Sequence, residues 1–445
     1  MNKMKKKVVL FFPKINTYDK FHWFPFVNLM LGANLKADGF EVVSIDQRVQ
    51  KDWKSILLKN SQDAVYVGIS AMTGYQIKGA LEASELIKSK FKTKVVWGGR
   101  HCTLIPEQTL INNNIDIVVI GNGENVAVNI ANSIYNDKNL NEVEGIMYKD
   151  IKKRMVRTQH NANRIREKQK YDFNLININD YINPETKAMS YFSSFGCPGR
   201  CGFCTNAYFK EKWIPLNTEI VINDVEYLVN NYGFKVMFFQ DSNFFNSLKR
   251  VKQIAQGFID RNIQIKWKTS ARIDRLCRTS EEDLNLLVKS GLCSLFIGVE
   301  SGSQRMLDVM SKDTKVEQIY EVFKKLNAFD IEVHSSLIFG LPCDSLEALD
   351  KTIKLINDLK SINKKAKFQT CFFTPYPGTP LYDMACNKGY KPPTNLKEWS
   401  DVEDQTVFKL GPWIDDRIKK EYKDKFEKAF LESYSSDFKE LSKDG

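Results

Sequence analysis

The sequence predicts an α/β protein: a doubly wound parallel sheet, six further strand–helix units, and a short helical cap. Three observations predict it. Residues 8–135 alternate short apolar runs with helical patterns. The alternation restarts at Met189 and continues to about residue 373. Between the two lies a polar, basic stretch, Tyr148 to Lys170, with neither period.

In the first half, VVLFF (residues 8–12) is a buried strand, closed by Pro13 and Lys14. A helix follows with apolar Phe26, Leu29, Met30 and Leu35. Next come FEVVSID (40–46), a helix from about Trp53, AVYVGIS (64–70), a helix over 79–91, KVVWGG (94–99) and DIVVIG (116–121). Unbroken apolar strands separated by helices indicate a parallel sheet covered on both faces, of flavodoxin-like order. In the second half the strands are MSYFSSFG (189–196), KVMFFQD (235–241), IQIKWKTSA (263–271), CSLFIGVE (293–300), IEVHSSLIFG (331–340) and KFQTCFF (367–373). Helices are expected near 219–231, 248–259, 281–289, 316–327 and 346–359. Six units are too few to close an eight-stranded barrel. The expected boundaries are 1–145, a basic linker or hairpin over 146–185, a partial barrel over 186–385, and a cap over 386–445. Residues 422–441 of that cap read as one amphipathic helix.

Composition narrows the class. No apolar run approaches the ~20 residues of a membrane helix, and residues 8–12 are too short for a secretory signal and lack a cleavage site. Nine cysteines is an odd number; Cys102, Cys277, Cys293, Cys343, Cys371 and Cys386 stand singly. That suits a reducing, cytoplasmic setting. The net charge of +11 is read as solvated surface. Nucleic-acid binding is not expected, because after Tyr148 no aromatic residue interleaves the basic stretch.

Cys197, Cys201 and Cys204 lie in FGCPGRCGFCTN, directly after the first strand of the second half. A closed zinc site needs four protein ligands, and so does a cluster held by protein alone. Three thiolates with no local fourth leave one metal position for a small molecule. The string resembles the signature of radical S-adenosylmethionine (SAM) enzymes, with Phe203 as its aromatic. The resemblance implies a [4Fe-4S] cluster on the three cysteines, SAM on the fourth iron, and a partial six-stranded barrel. FIGVESGS (296–303) resembles the fourth-strand motif, implying that Glu300 and Ser301 contact SAM. LIFGLP (337–342) resembles the fifth-strand segment that packs the adenine, implicating Ile338 and Gly340. PYPGTPLY (375–382) resembles the closing string and is read as structural. Arg272 is placed to meet the SAM carboxylate or to pair with Asp274. Asp241 reads either as a hydrogen-bond partner of SAM or substrate, or as a helix cap.

Upstream, the strand ends read GISAMTGYQI (68–77), WGGRHCTLIPEQTL (97–110) and IGNGE (120–124), whereas the turn after the first strand has no glycine, against a dinucleotide. These strings resemble the cobalamin-binding domain fused before some radical SAM domains. The cobalamin contacts so implied are Ser70, Met72, Thr73, Gly74, Tyr75, Gly98, Gly99, His101, Gly121, Gly123 and Glu124. His101 equally reads as a packed loop histidine. The string Asp19-Lys20-Phe21-His22 departs from the D-x-H-x-x-G pattern, so no histidine ligand to cobalt is expected and His22 is a loop histidine.

The resemblance implies reductive cleavage of SAM to a 5′-deoxyadenosyl radical and, with cobalamin, methylation of an unactivated carbon. Cyclisation, rearrangement or carbon–carbon coupling without methyl transfer is the alternative. A non-catalytic sensor would need no ribose or adenine contacts, and a methylthiotransferase would need a second upstream cysteine triad, where only Cys102 stands. No side chain is assigned acid–base catalysis. The expected partners are a small-molecule, lipid or peptide substrate and an external reductant such as flavodoxin or ferredoxin.

Overall fold

The computed structural model describes residues 5–16, 22–159, 170–209, 212–402 and 409–434. The chain divides into two units, Met1–Ile182 with Pro393–Asp404, and Asn183–Pro392 with Gln405–Gly445.

In the first unit, β1 (Lys7–Phe12), β2 (Glu41–Asp46), β3 (Tyr66–Ser70), β4 (Lys94–Gly98) and β5 (Ile117–Val119) form a parallel sheet of order β2-β1-β3-β4-β5. This is the doubly wound order expected from the sequence. Every residue of β1 is buried, because helices cover both faces. Strand alternation divides the apolar side chains between two cores. Val9, Phe11, Val67, Ile69, Val95 and Trp97 enter one; Val8, Leu10, Tyr66, Val96, Ile117 and Val119 enter the other.

The start of the stretch expected as a linker or hairpin belongs to this sheet. β6 (Ile146–Lys149) and β7 (Met155–Arg157) continue it as antiparallel strands beyond β5. Tyr171, Phe173 and Tyr181 then pack around Phe24 and Phe26. β6 and β7 form a hairpin, as expected of the basic stretch, but one that extends the sheet; β7 is its edge strand, with Met155 and Arg157 exposed. Residues 160–169 of the basic stretch lie outside the described residues.

The second unit is built on β8 (Ala188–Tyr191), a two-residue ribbon of β9 (Ser194–Phe195) and β10 (Ile214–Pro215), then β11 (Val236–Phe239), β12 (Lys266–Ala271), β13 (Leu292–Glu300), β14 (Glu332–Phe339) and β15 (Ala366–Phe372). The six main strands are all parallel, in the order β15-β14-β13-β12-β11-β8. Helices Thr218–Tyr232, Leu248–Asp260, Glu281–Lys289, Val316–Leu326 and Leu346–Ile362 alternate with them, as in the expected partial barrel. Along β14 the buried residues Val333, Ser335, Leu337 and Phe339 alternate with half-buried His334, Ser336 and Ile338.

The tail differs from a single cap. Helix Leu396–Ser400 lies in the first unit, with Leu396 and Trp399 in the same core as Trp97. Helix Asp416–Tyr434 lies in the second, where Phe426 packs on Phe339 and Phe372. It begins six positions before the expected residue 422, and Asp415 accepts a hydrogen bond from Arg417 N at its start. Residues 435–441 of the expected helix lie outside the described residues.

Asp46 ties the returning segment to the sheet. Its carboxylate accepts hydrogen bonds from Arg48 Nε (3.0 Å), Arg48 Nη2 (2.7 Å) and the Tyr181 hydroxyl (3.0 Å). Both members of the ion pair are almost wholly buried. Asp46→Ala leaves a buried guanidinium without its anion, and stability is expected to fall by about 3–5 kcal/mol. Urea denaturation of the apoprotein followed by circular dichroism checks this; an unchanged midpoint contradicts it.

Candidate functional site

The cysteine loop is held at its root. Asp241, two residues beyond β11, accepts hydrogen bonds from Ser193 N (2.7 Å), Ser193 Oγ (2.7 Å) and Ser194 Oγ (2.5 Å). Buried Arg250 donates to Ser193 Oγ (3.1 Å), Ser193 O (2.8 Å) and Leu216 O (3.2 Å). Asp241 therefore caps no helix; Ser247 caps the one that follows. Its carboxylate is spent fixing the exit of β8, from which the cysteines depart.

Within the loop, Gly202 N donates to Met310 O (2.7 Å), and Gly202 O accepts from Leu381 N (3.1 Å). The PYPGTPLY string thus clamps the loop between Cys201 and Cys204, the structural role expected of it. Gly199 N donates to Cys197 Sγ (3.4 Å), and Arg272 Nη1 to Cys201 Sγ (3.4 Å). Both donors point at sulfurs of the cysteine triad. Among the described residues no three His, Cys, Asp or Glu side chains converge on a single-ion site. In a cluster each thiolate takes its own iron, so the three sulfurs need only face one common space and not meet at a point. The donor set therefore fits a cluster.

Arg272 follows β12 and has its donors distributed: Nε to Asp274 (2.7 Å), Nη1 to Cys201, Nη2 to Lys312 O (2.8 Å). The salt bridge with Asp274 is thus present. Burial works against its charge, but Cys201 and Asp274 outweigh it and its pKa rises. Lys312, which no sequence pattern singled out, lies 5.9 Å from the Phe203 ring centroid and donates to Glu300 Oε1 at 2.5 Å. Burial again opposes the charge, yet Glu300 and Cys201 hold the Lys312 pKa above its ordinary value.

Glu300 ends β13 with φ +64°, a left-handed conformation uncommon outside glycine. The register shifts between Gly298 and Glu300, so a bulge re-aims the side chain. Its Oε2 accepts from Ser336 Oγ on β14 (3.0 Å). A carboxylate has about four lone-pair sites; two are taken, leaving capacity for a pair of ribose hydroxyls. Gly298 makes room: a Cβ there would lie 2.3 Å from Glu300 Oε1 and 2.6 Å from Lys312 Nζ.

The other expected SAM residues separate. Ser301 is buried away from this carboxylate, with its hydroxyl 3.1 Å from Thr352 Oγ1 and accepting from Ser303 N (3.1 Å). Ile338 and Phe203 are half-buried apolar surfaces, suited to an adenine. Gly340 is a backbone junction: its N–H donates to Asp344 Oδ2 (3.0 Å), and its carbonyl accepts from Trp413 Nε1 (2.7 Å).

In the first unit the loops after β3, β4 and β5 interlock. Ala71 N donates to Gly98 O (2.8 Å), and His101 N to Ala71 O (3.2 Å). Gly99 has φ +109°, and a Cβ on it would lie 2.7 Å from Ala71 O, so no other residue fits. Thr103 Oγ1 donates to Gly99 O (3.0 Å) and accepts from Gly121 N (3.0 Å), joining the second loop to the third. Ser70, Thr73, Tyr75, Gly98, Gly99, Gly121, Gly123 and Glu124 keep accessible surface, and the Met72 side chain is 38% exposed. Small residues with one outward apolar side chain suit a broad, flat ligand such as a corrin. Gly74 and His101 are buried. His101 Nδ1 lies 3.0 Å from Thr73 Oγ1, while its buried Nε2 has no hydrogen-bond partner. The packed-histidine reading therefore describes it. His22 is half-buried; Asp19 to Phe21 lie outside the described residues.

Two consequences are measurable. Gly298→Ala drives a methyl group into the Glu300–Lys312 pair, and SAM affinity of the reconstituted protein is expected to fall about tenfold or more. Equilibrium dialysis at unchanged iron and sulfide content checks it. Burial pushes the His101 imidazole from 6.5 down to about 4. As pH falls below 6.5 the unfolded chain takes up a proton that the folded chain refuses until about pH 4. Stability present above pH 6.5 is thus lost across that window, by about 3 kcal/mol. Comparing the pH dependence of unfolding in wild type and His101→Asn isolates this part; identical slopes contradict it.

The Radical SAM superfamily matches residues 191–356, and the B12 binding domain matches residues 16–131. An uncharacterized methyltransferase of Pyrococcus horikoshii is 27% identical over 364 residues, 80% of this chain and 77% of that protein. The anaerobic magnesium-protoporphyrin IX monomethyl ester cyclase of Cereibacter sphaeroides is 27% identical over 295 residues. That alignment covers 64% of this chain but only 47% of the cyclase. In fold, the chain is similar to the radical S-adenosylmethionine methyltransferase TsrM of Kitasatospora setae, with TM-score 0.71 at 18% identity over 87% of this chain and 78% of that one. With the thiolate loop and the glycine-edged sheet in place, these matches make the chain a cobalamin-dependent radical SAM enzyme, whose cofactors are a [4Fe-4S] cluster, SAM and cobalamin.

Proposed function

We propose that the enzyme transfers a methyl group to an unactivated carbon of its substrate. The observation that carries this reading is the pairing, in one chain, of a B12 binding domain with a radical SAM domain. Its similarity over most of both lengths to a protein named as a methyltransferase supports it. When bound, the cofactors supply one-electron cleavage of SAM and a carrier for the methyl group.

The chain's own residues bind and orient. Cys197, Cys201 and Cys204 hold the cluster, with Arg272 donating a hydrogen bond to Cys201. Glu300 receives the ribose hydroxyls on its remaining lone pairs, and Phe203 and Ile338 bracket the adenine. Met72, Thr73, Tyr75 and the glycines after β4 and β5 receive the corrin. No paired carboxylates or nucleophile–base set is needed. An external reductant of the flavodoxin or ferredoxin class supplies the electron. Among the described residues no disulfide joins the cysteines and no helix is long and apolar enough to cross a membrane.

Similarity to a cyclase favours a second reading, ring closure without methyl transfer. The reconstituted, cobalamin-loaded protein is incubated anaerobically with a low-potential reductant, SAM deuterated in its methyl group, and a small-molecule extract of its host. A product carrying the intact labelled methyl is expected. An unlabelled product accompanied by 5′-deoxyadenosine overturns methyl transfer in favour of ring closure.

A further inference from the structure

We propose that residues 393–402 form part of the cobalamin site, with Trp399 as a positioning residue for the loops after β3 and β4. The inference rests on the reading that these loops receive cobalamin. The segment lies in sequence after the whole partial barrel, yet it belongs to the first unit.

Trp399 is 2% exposed and makes three different contacts there. Its carbonyl accepts from Gly74 N (3.2 Å), in the loop after β3. Its ring meets His101, after β4, edge-on at a centroid distance of 5.8 Å. Its indole Nε1 donates to Gln108 Oε1 (2.5 Å), and Gln108 Nε2 donates back to Pro393 O (3.2 Å). A Lys78–Asp401 ion pair at 2.8 Å fastens the far end of the segment to helix Gln76–Lys88. One residue thus grips both upstream strings at once, the first through its carbonyl and the second through its indole.

Of the eleven residues implied as cobalamin contacts, Gly74 and His101 are the two that are buried, and Trp399 contacts both. Their contribution to the cofactor is indirect. Gly74 is held by the Trp399 carbonyl, and His101, wedged by the indole, is within hydrogen-bond distance of Thr73 Oγ1. Met72, Thr73 and Tyr75 are thereby set in place before any ligand arrives. A loop already ordered does not lose that freedom on binding, so the affinity is higher. A tryptophan that only filled the core would stabilise the fold without acting on the cofactor.

Hydrogen exchange of the full-length protein with and without aquacobalamin tests this. Slowed exchange is expected in residues 71–76, 98–103 and 395–402 together. Protection of the first two stretches without the third overturns the proposal. Protection of none of them overturns it together with the loop assignment, whereas the labelled-methyl outcome stands independently of either. Absorbance titration with aquacobalamin supplies the second readout. Trp399→Ala is expected to weaken binding about tenfold or more, and Trp399→Phe, which keeps a ring on His101, to stay within about threefold of wild type. Iron content and SAM binding should be unchanged in both. Wild-type cobalamin affinity in Trp399→Ala, with only a lowered melting temperature, makes Trp399 a core residue and nothing more.

Discussion

The radical SAM site depends on the buried pair between Glu300 and Lys312. A carboxylate and an ammonium taken out of water each cost several kcal/mol, and their attraction roughly repays that. The pair is therefore not there for stability. It fixes a carboxylate in a left-handed residue at a bulge, a conformation that costs about 1–3 kcal/mol. Ser336 from the neighbouring strand holds the second oxygen. Once Lys312 is drawn in by Glu300, its charge also acts on Cys201, and its carbonyl fixes Arg272. The Glu300 carboxylate and the Cys201 sulfur consequently belong to one network. Gly298 is the position on which that network closes, because any side chain there would occupy the space of the pair.

A second network does the corresponding work at the start of the barrel. Asp241 and Arg250 bury opposite charges around Ser193, and both bond to the chain leaving β8 there. Met310 and Leu381 then hold Gly202 from both sides. The cysteine loop is short and carries three ligands, so small errors in its path would displace every sulfur. Fixing it at the root and in the middle leaves the thiol groups as its adjustable parts.

What the sequence disclosed follows from the range of each interaction. Apolar runs gave the strands of both sheets, because burial on two faces is a local property of a segment. The cysteine spacing and the strings at strand ends were legible for the same reason: their residues are adjacent. Partners remote in sequence were not legible. Asp241 was read against its neighbours, whereas its partners lie about 48 residues upstream. Lys312 carries no local mark, and Ser301 turns toward Thr352 in a later helix. The basic stretch reads as a hairpin, but its pairing with β5 across the sheet leaves no local mark. The return of residues 393–402 to the first unit rests on Leu396 and Trp399, too few positions to show a period.

The two units solve the same problem in different ways. Around the cysteines, ionic groups are buried because the ligand atoms are charged and must be held against desolvation. At the carboxyl ends of β3, β4 and β5 the devices are instead backbone hydrogen bonds, close-approach glycines and one hydroxyl, Thr103, joining two loops. A corrin presents a broad face with polar groups at its edge, so surface shape matters more there than charge. His101 fits that division. Burial keeps it neutral, and a neutral imidazole packed under the loop adds shape without adding a charge that the ligand would have to answer. The residues' task is to hold bulky reactants at fixed orientation, and the separate means used in the two units follow from the chemistry of what each one holds.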